Sequence, residues 1–251
     1  MNISLIILFF LLGLIFGSFF NVVGLRLPKN IAFANDRSIC PQCKHQLTWY
    51  ENIPLLSFLI QGAKCRHCKG NISYIYPAIE LFTGFLFALS YSVVGWNLEL
   101  LTALLLVSML MVILVSDIMY MLIPNKVLLF FLPLLVAARV INPLDPWWSS
   151  ITAALTGLLI IAVIILVSRG GMGAGDMKLF GILGIVLGME KLLLAFFLSC
   201  MIGALIGIVL LLFKVIDRKQ PVPFGPYIVV ATLLTYFYGD FLLIWYFNLL
   251  I

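Results

Sequence analysis

Two pairs of cysteines and three acids at the edges of apolar runs are the side chains whose types and spacing could do chemistry. The cysteines read Cys40-Pro41-Gln42-Cys43 and Cys65-Arg66-His67-Cys68, with 21 residues between the pairs. Two C-x-x-C turns at about this spacing are the sequence form of a tetrahedral four-thiolate zinc site. Disulfides are the alternative reading, and His45 or His67 could each replace a neighbouring cysteine as ligand. Cys200 stands alone in an apolar run and reads as a small core residue.

The acids are Glu80, Asp117 and Asp176. Asp117 ends one apolar run and is followed by more apolar sequence up to Ile123-Pro124-Asn125. Asp176 closes Gly171-Met172-Gly173-Ala174-Gly175-Asp176, where the glycines permit close backbone approaches. An ionisable side chain at membrane depth is costly and is a functional candidate by default. Two facing carboxylates cannot both ionise cheaply, so one keeps a proton while the other activates water. The helix start after Gly175 favours negative charge on Asp176 over Asp117. Three readings stay open for these acids: an acid–base pair of an enzyme, the carboxylates of a proton- or ion-coupled transporter, and interfacial acids paired with lysines. No H-E-x-x-H helix or G-x-S-x-G elbow offers rival protease chemistry. The only two histidines lie beside or inside the cysteine turns.

The elements that must position these groups follow from composition. The chain has 251 residues, 64% apolar and 10% charged, against about 25% charged for a soluble domain. Such a chain is solvated by a lipid bilayer. Its long continuous runs exclude a transmembrane β-barrel. The runs are Ile3–Val23, Ala78–Val94, Leu98–Val115, Val127–Ile141, Ile151–Val167, Leu179–Met189 and Leu192–Phe213, with an eighth inside Tyr227–Ile251 interrupted by Gly239-Asp240. The expected fold is all-α and polytopic, with about eight transmembrane helices and a small zinc-stapled cytosolic insert between the first two. All fifteen lysines and arginines except Arg139 and Lys191 fall on one side of that arrangement, which makes that side cytosolic. The net charge of +5 thus reflects topology, and no nucleic-acid partner is expected. The N-terminal run reads as a retained span, because its basic residues follow it. An insert of about 50 residues cannot bury a self-sufficient core and needs a staple. In the reducing cytosol that staple is a metal, since disulfides rarely persist there.

Several motifs then resemble the type IV prepilin peptidases, nearly end to end and in order. They are Gly17-Ser18-Phe19-Phe20-Asn21, Arg26-Leu27-Pro28, the paired C-x-x-C turns, Glu51-Asn52-Ile53-Pro54 and Tyr76-Pro77 with Glu80. Further along come Asp117 with Ile123-Pro124-Asn125, Gly173-Ala174-Gly175-Asp176-Met177-Lys178, and Phe224-Gly225-Pro226. The resemblance implies a membrane aspartic protease that removes the leader of prepilins or pseudopilins after a glycine, at the cytosolic face. It implies Asp117 and Asp176 as catalytic residues and Cys40, Cys43, Cys65 and Cys68 as zinc ligands. Members with this insert commonly also methylate the new N-terminal amine with S-adenosylmethionine. Glu80, Gly173, Gly175 and Lys178 are the candidates for the substrate or methyl-transfer site. The expected organisation is residues 1–25 as first span, 26–76 as zinc domain and 77–251 as peptidase core. The competing class is a carboxylate-lined ion- or proton-coupled transporter, which would place its acids near the bilayer midplane.

Overall fold

A computed structural model describes residues 2–31, 38–40, 42–168, 171–215, 217 and 222–250. Arg37, Arg169, Arg218 and Lys219, four of the residues used for orientation, lie outside the described set. The elements in chain order are α1 (Ile3–Arg26), α2 (Leu56–Ile60), α3 (Ile75–Val94), α4 (Leu98–Tyr120), α5 (Asn125–Ile141), α6 (Ser149–Val167), α7 (Ala174–Leu187), α8 (Met189–Leu212) and α9 (Gly225–Leu250). The chain divides into two compact units, 1–115 and 116–251, so the division falls near the end of α4. Six helices among the described residues are long and apolar enough to cross a membrane: α1, α3, α4, α6, α8 and α9. The other two expected spans, α5 and α7, form as helices but have only 17 and 14 residues.

In the first unit α1 lies against α3 at close range. A Cβ at Gly13 would stand 2.7 Å from the Gly84 Cα, and one at Gly17 would stand 2.8 Å from the Glu80 Cα. Small residues at this four-residue spacing let membrane helices touch through their backbones, where van der Waals contact replaces the missing hydrophobic drive. The Phe9 and Tyr91 rings stack at 5.1 Å at the far end of the same contact. Between α1 and α3 the described residues of the insert form two isolated bridges, Ile39 with Gln46 and Lys64 with Asn71, and no longer sheet. Each bridge closes one cysteine turn. A 3-10 turn, Trp49–Asn52, follows the first of them.

In the second unit α7 sets the dimensions. Fourteen residues rise about 21 Å, short of a hydrocarbon core of about 30 Å. It extends the Leu179 run at its N-terminal end, starting at Ala174, but stops at Leu187 ahead of Gly188 (φ +76°). The last carbonyls of such a helix have no partner within it. Arg139 of α5, 7% exposed, answers this by donating Nε and Nη2 to the Val186 carbonyl at 3.1 and 2.6 Å. The Ser149 hydroxyl accepts the Met189 N–H at 3.1 Å and completes the turn into α8. α9 runs without a break through Gly239-Asp240, where the sequence suggested an interruption. Asp240 is accommodated by an ion pair with Lys191 of α8 at 2.8 Å.

Candidate active site

Asp117 sits in the last turn of α4 and Asp176 in the first turn of α7, both in the second unit. What brings them together is the turn after Asp117. Met121 adopts φ +51° and stops the helix, and the Ser116 hydroxyl donates to the Leu122 carbonyl at 2.6 Å. Pro124 then starts α5 from an extended backbone. The turn brings Ile123, 8% exposed, against Gly175, where a Cβ would lie 3.0 Å from the Ile123 Cβ. A second tie crosses the same seam: Lys178 Nζ donates to Asn125 Oδ1 at 2.9 Å. The Asp117 charge reaches Asp176 electrostatically. Gly173 lies beside Asp176, Gly175 lies against Ile123, and Lys178 bonds Asn125 across the same seam.

Each carboxylate accepts a backbone N–H from a helix start. Asp176 Oδ2 takes the Gly173 N–H at 3.1 Å, and Asp117 Oδ2 takes the Gly225 N–H at 2.8 Å. The sequence pointed to a helix start for Asp176 alone; α9 supplies one to Asp117 as well, which removes that asymmetry between the two. Gly225 is required by contact. A Cβ there would lie 2.6 Å from Asp117 Oδ2. Asp117 is nearly enclosed, 5% exposed, whereas Asp176 is half-buried. Both acids stand at helix ends and not at midspan, unlike the arrangement the transporter reading requires.

The four cysteines of the insert converge independently. Their sulfurs all lie within 4.8 Å of one another, with Cys40–Cys68 at 3.9 Å and Cys43–Cys65 at 4.0 Å. A tetrahedron of sulfurs about 2.3 Å from a central metal has edges of about 3.8 Å, so the cage fits a metal ion. All four are free thiols. The two turns are built alike: Cys40 N–H bonds the His45 carbonyl and Cys65 N–H the Gly70 carbonyl, each at 2.9 Å. Lys44 and Lys69, directly after the second cysteines, take φ +57° and +58°. Within the cluster the Cys43 backbone N–H lowers the Cys40 thiol to about 7, while burial and the neighbouring thiols push Cys43 up to about 11. His45 and His67 are not in the thiol group; their rings face each other at 3.5 Å.

Glu80 belongs to the first unit and is 8% exposed. The expected alternative, a lysine partner, does not hold. Its Oε2 accepts the Leu55 backbone N–H at 2.8 Å, and the Ser18 hydroxyl is its other partner. Glu51 of the Glu-Asn-Ile-Pro motif is a cap: its Oε2 takes the Thr48 N–H at 2.8 Å and the Thr48 hydroxyl at 2.7 Å. Those two bonds hold its carboxyl below the usual range. Two positions escaped sequence reasoning. Arg139 was assigned only a topological role, and Gly225 only a motif. A basic residue on an otherwise apolar helix was the available signal for the first.

A polytopic helical membrane protein that joins a paired-carboxylate site to a four-thiol cage is the class this fold and these sites define. Residues 11–94 match the Bacterial Peptidase A24 N-terminal domain, and residues 104–208 match the Type IV leader peptidase family. The chain is 46% identical over 237 residues to the prepilin leader peptidase/N-methyltransferase of Bacillus subtilis (strain 168), covering 94% of this chain and 96% of that protein. It is 35% identical over 274 residues to the protein of the same name from Aeromonas salmonicida (strain A449), covering 95% and 92%. The Pseudomonas aeruginosa protein of that name is 32% identical over 263 residues, covering 92% and 89%. No solved structure matches the chain. The chain belongs to the type IV leader peptidase family.

Proposed function

We propose that this chain is a membrane-embedded aspartic endopeptidase that removes the leader of type IV prepilins or pseudopilins after a glycine, and that it then N-methylates the new terminus. The observation that carries the reading is that Asp117, at the end of α4, and Asp176, at the start of α7, each accept an N–H from a helix start in the same unit. In that arrangement one carboxylate is ionised and takes a proton from water, whose oxygen attacks the scissile carbonyl carbon. The other carboxylic acid donates its proton to the carbonyl oxygen. The proton held by the first then goes to the leaving nitrogen as the tetrahedral intermediate collapses. Gly225 and Gly173 orient the two carboxylates through their N–H groups.

The metal of the thiol cage is zinc, held by Cys40, Cys43, Cys65 and Cys68, and its part is structural. S-adenosylmethionine supplies the methyl group of the second activity. Residues 1–25 form the first span, 26–76 the zinc domain and 77–251 the peptidase core, with both aspartates in its later part. α5 and α7 join the six longer helices as spans, giving eight. Arg139 stands in for water at the outer end of α7, where the helix is too short to reach it. The zinc domain and both aspartates face the cytosol.

Incubating the purified protein with a prepilin and S-adenosylmethionine, followed by mass spectrometry, tests both activities at once. Loss of the leader mass and gain of one methyl group is the expected result. An unchanged precursor defeats the peptidase reading. For orientation, a cysteine replacing Asp217 should label from the cytosol only and one replacing Asp145 from outside only; the reverse pattern would put the site on the wrong face for leader cleavage.

A further inference from the structure

The carboxylate pair offers no site for the methyl-transfer half of the proposed function. A separate group of buried polar side chains lies at the contact of α1 with α3 in the first unit. Glu80 carries a buried carboxylate whose partners are a backbone N–H and a hydroxyl, Leu55 and Ser18. No lysine or arginine among the described residues pairs with it. Asn21 is 2% exposed; its Nδ2 donates to the Tyr76 carbonyl at 3.1 Å, and its Oδ1 has no donor at all.

The register places the two side by side. A Cβ at Gly17 would stand 2.8 Å from the Glu80 Cα. Asn21 follows Gly17 by one helical turn, and Tyr76 precedes Glu80 by one turn on the antiparallel partner, so the amide and the carboxylate flank the same short stretch of contact. Acceptors therefore outnumber donors here. A buried carboxylate without a cation and a buried amide oxygen without a donor are both costly arrangements. The missing piece must bring positive charge and several N–H donors. A primary ammonium has both, with three donors and no acceptor.

We infer that Glu80 and Asn21 form a binding site for the ammonium group of a methyl-transfer ligand. The site lies outside the carboxylate pair that cuts the leader. Leu55, whose N–H Glu80 accepts, is held at φ +61° at the start of α2. Two ligands of the reaction carry a primary ammonium: the free N-terminus of the cleaved pilin, and the amino-acid end of S-adenosylmethionine. The inference rests on the proposed methyltransferase activity.

The discriminating variant is Glu80→Gln. It keeps an oxygen for the Leu55 N–H and offers an N–H to Asn21, so it mimics a protonated, purely structural Glu80 while removing the charge. Detergent-purified wild-type and Glu80→Gln protein are compared by equilibrium dialysis with S-adenosylmethionine and with a synthetic mature-pilin N-terminal peptide, free or N-acetylated. The Gln variant should bind one of the two amines at least about tenfold more weakly, the loss expected for a buried hydrogen bond to charge. A loss for S-adenosylmethionine identifies the donor's amine. A loss for the free peptide, absent for the acetylated one, identifies the pilin terminus. Asn21→Asp, which adds charge at the same point, should tighten the same ligand and guards against misfolding of the Gln variant. Leader cleavage, carried out in the second unit, is measured alongside. If wild-type protein cleaves but does not methylate, the methyltransferase reading fails. If it methylates and Glu80→Gln binds both amines and methylates like wild type, this site is overturned.

Discussion

The thiol cage and the carboxylate pair solve one problem, the convergence of reactive side chains, in opposite ways. In the insert each pair of cysteines is set by its own turn: one bridge, one carbonyl bond and one left-handed lysine, repeated almost identically at Cys40–Gln46 and Cys65–Asn71. Nothing farther than a few residues away is needed to aim each pair. The carboxylates depend on distance. Asp117 is aimed by Gly225, 108 positions later, and its turn is seated by Gly175 and by the Asn125–Lys178 bond. A site built from local turns tolerates changes elsewhere and is lost when its metal is lost. A site assembled from distant elements is sensitive at many remote positions, each with a graded effect.

The sharpest contrast comes from the acids themselves. Either Asp117→Asn or Asp176→Asn should reduce leader cleavage by roughly a thousandfold or more, and the double variant should lose little beyond that, because the two work as one unit. Zinc content and membrane insertion should stay unchanged. Mass spectrometry of the released leader measures the rate; a substantial residual rate in correctly inserted protein would end the aspartic-protease reading.

Gly225→Ala probes the long-range aim alone. Its new methyl would stand within 2.6 Å of Asp117 Oδ2, so either the carboxylate or the start of α9 must shift. A displacement on the ångström scale costs about a hundredfold in rate. Wild-type cleavage by this variant would show that Asp117 needs no partner from α9.

The insert should behave differently. Cys40→Ser or Cys65→Ser, or stripping the metal with a chelator, should take the protein from one zinc per chain to none. Residues 26–76 should then open to added protease, because such small domains fold only with their metal. Cleavage by the aspartates should fall by less than about tenfold, since they share no ligand with the cage. Metal analysis with limited proteolysis reads the first effect. A collapse of cleavage equal to that of the Asp117 variant would erase the distinction between the two regions.

The mildest test is Lys178→Met. It removes the bond to Asn125 but leaves Gly175 seated on Ile123. An exposed hydrogen bond to a charged group contributes about 1 kcal/mol, so a loss of about fivefold in kcat/KM is expected. A loss as deep as that of Gly225→Ala would make Lys178 part of the chemistry and not of the seam.

Much of this was legible before any coordinates. Each of the eight apolar runs became a helix, though only six helices among the described residues are long and apolar enough to cross a membrane. The cysteine spacing led to a four-thiol cluster that could hold a metal. Local causes explain that success, since apolar length and a C-x-x-C turn act over a few residues. The failures share a different cause. Glu80 finds a backbone N–H from Leu55 and no lysine, and Asp240, on an α9 that runs on unbroken, pairs with Lys191. Arg139 turns out to seal the end of α7. In each case a polar group in an apolar setting had to be satisfied, and the identity of its partner depended on which helix ends lie side by side.

By itself the sequence determined the solvent, the helical character of the apolar runs and the four-thiol cluster. Each of these follows from composition or from contacts between near neighbours in the chain. Only the tertiary structure decided that both carboxylates receive a helix start, that a glycine 108 positions away limits the room around Asp117, and that α7 ends on a buried arginine. The physical reason is that a polar group removed from water must find its partner inside the protein. Packing of remote helices, which no local pattern encodes, chooses that partner.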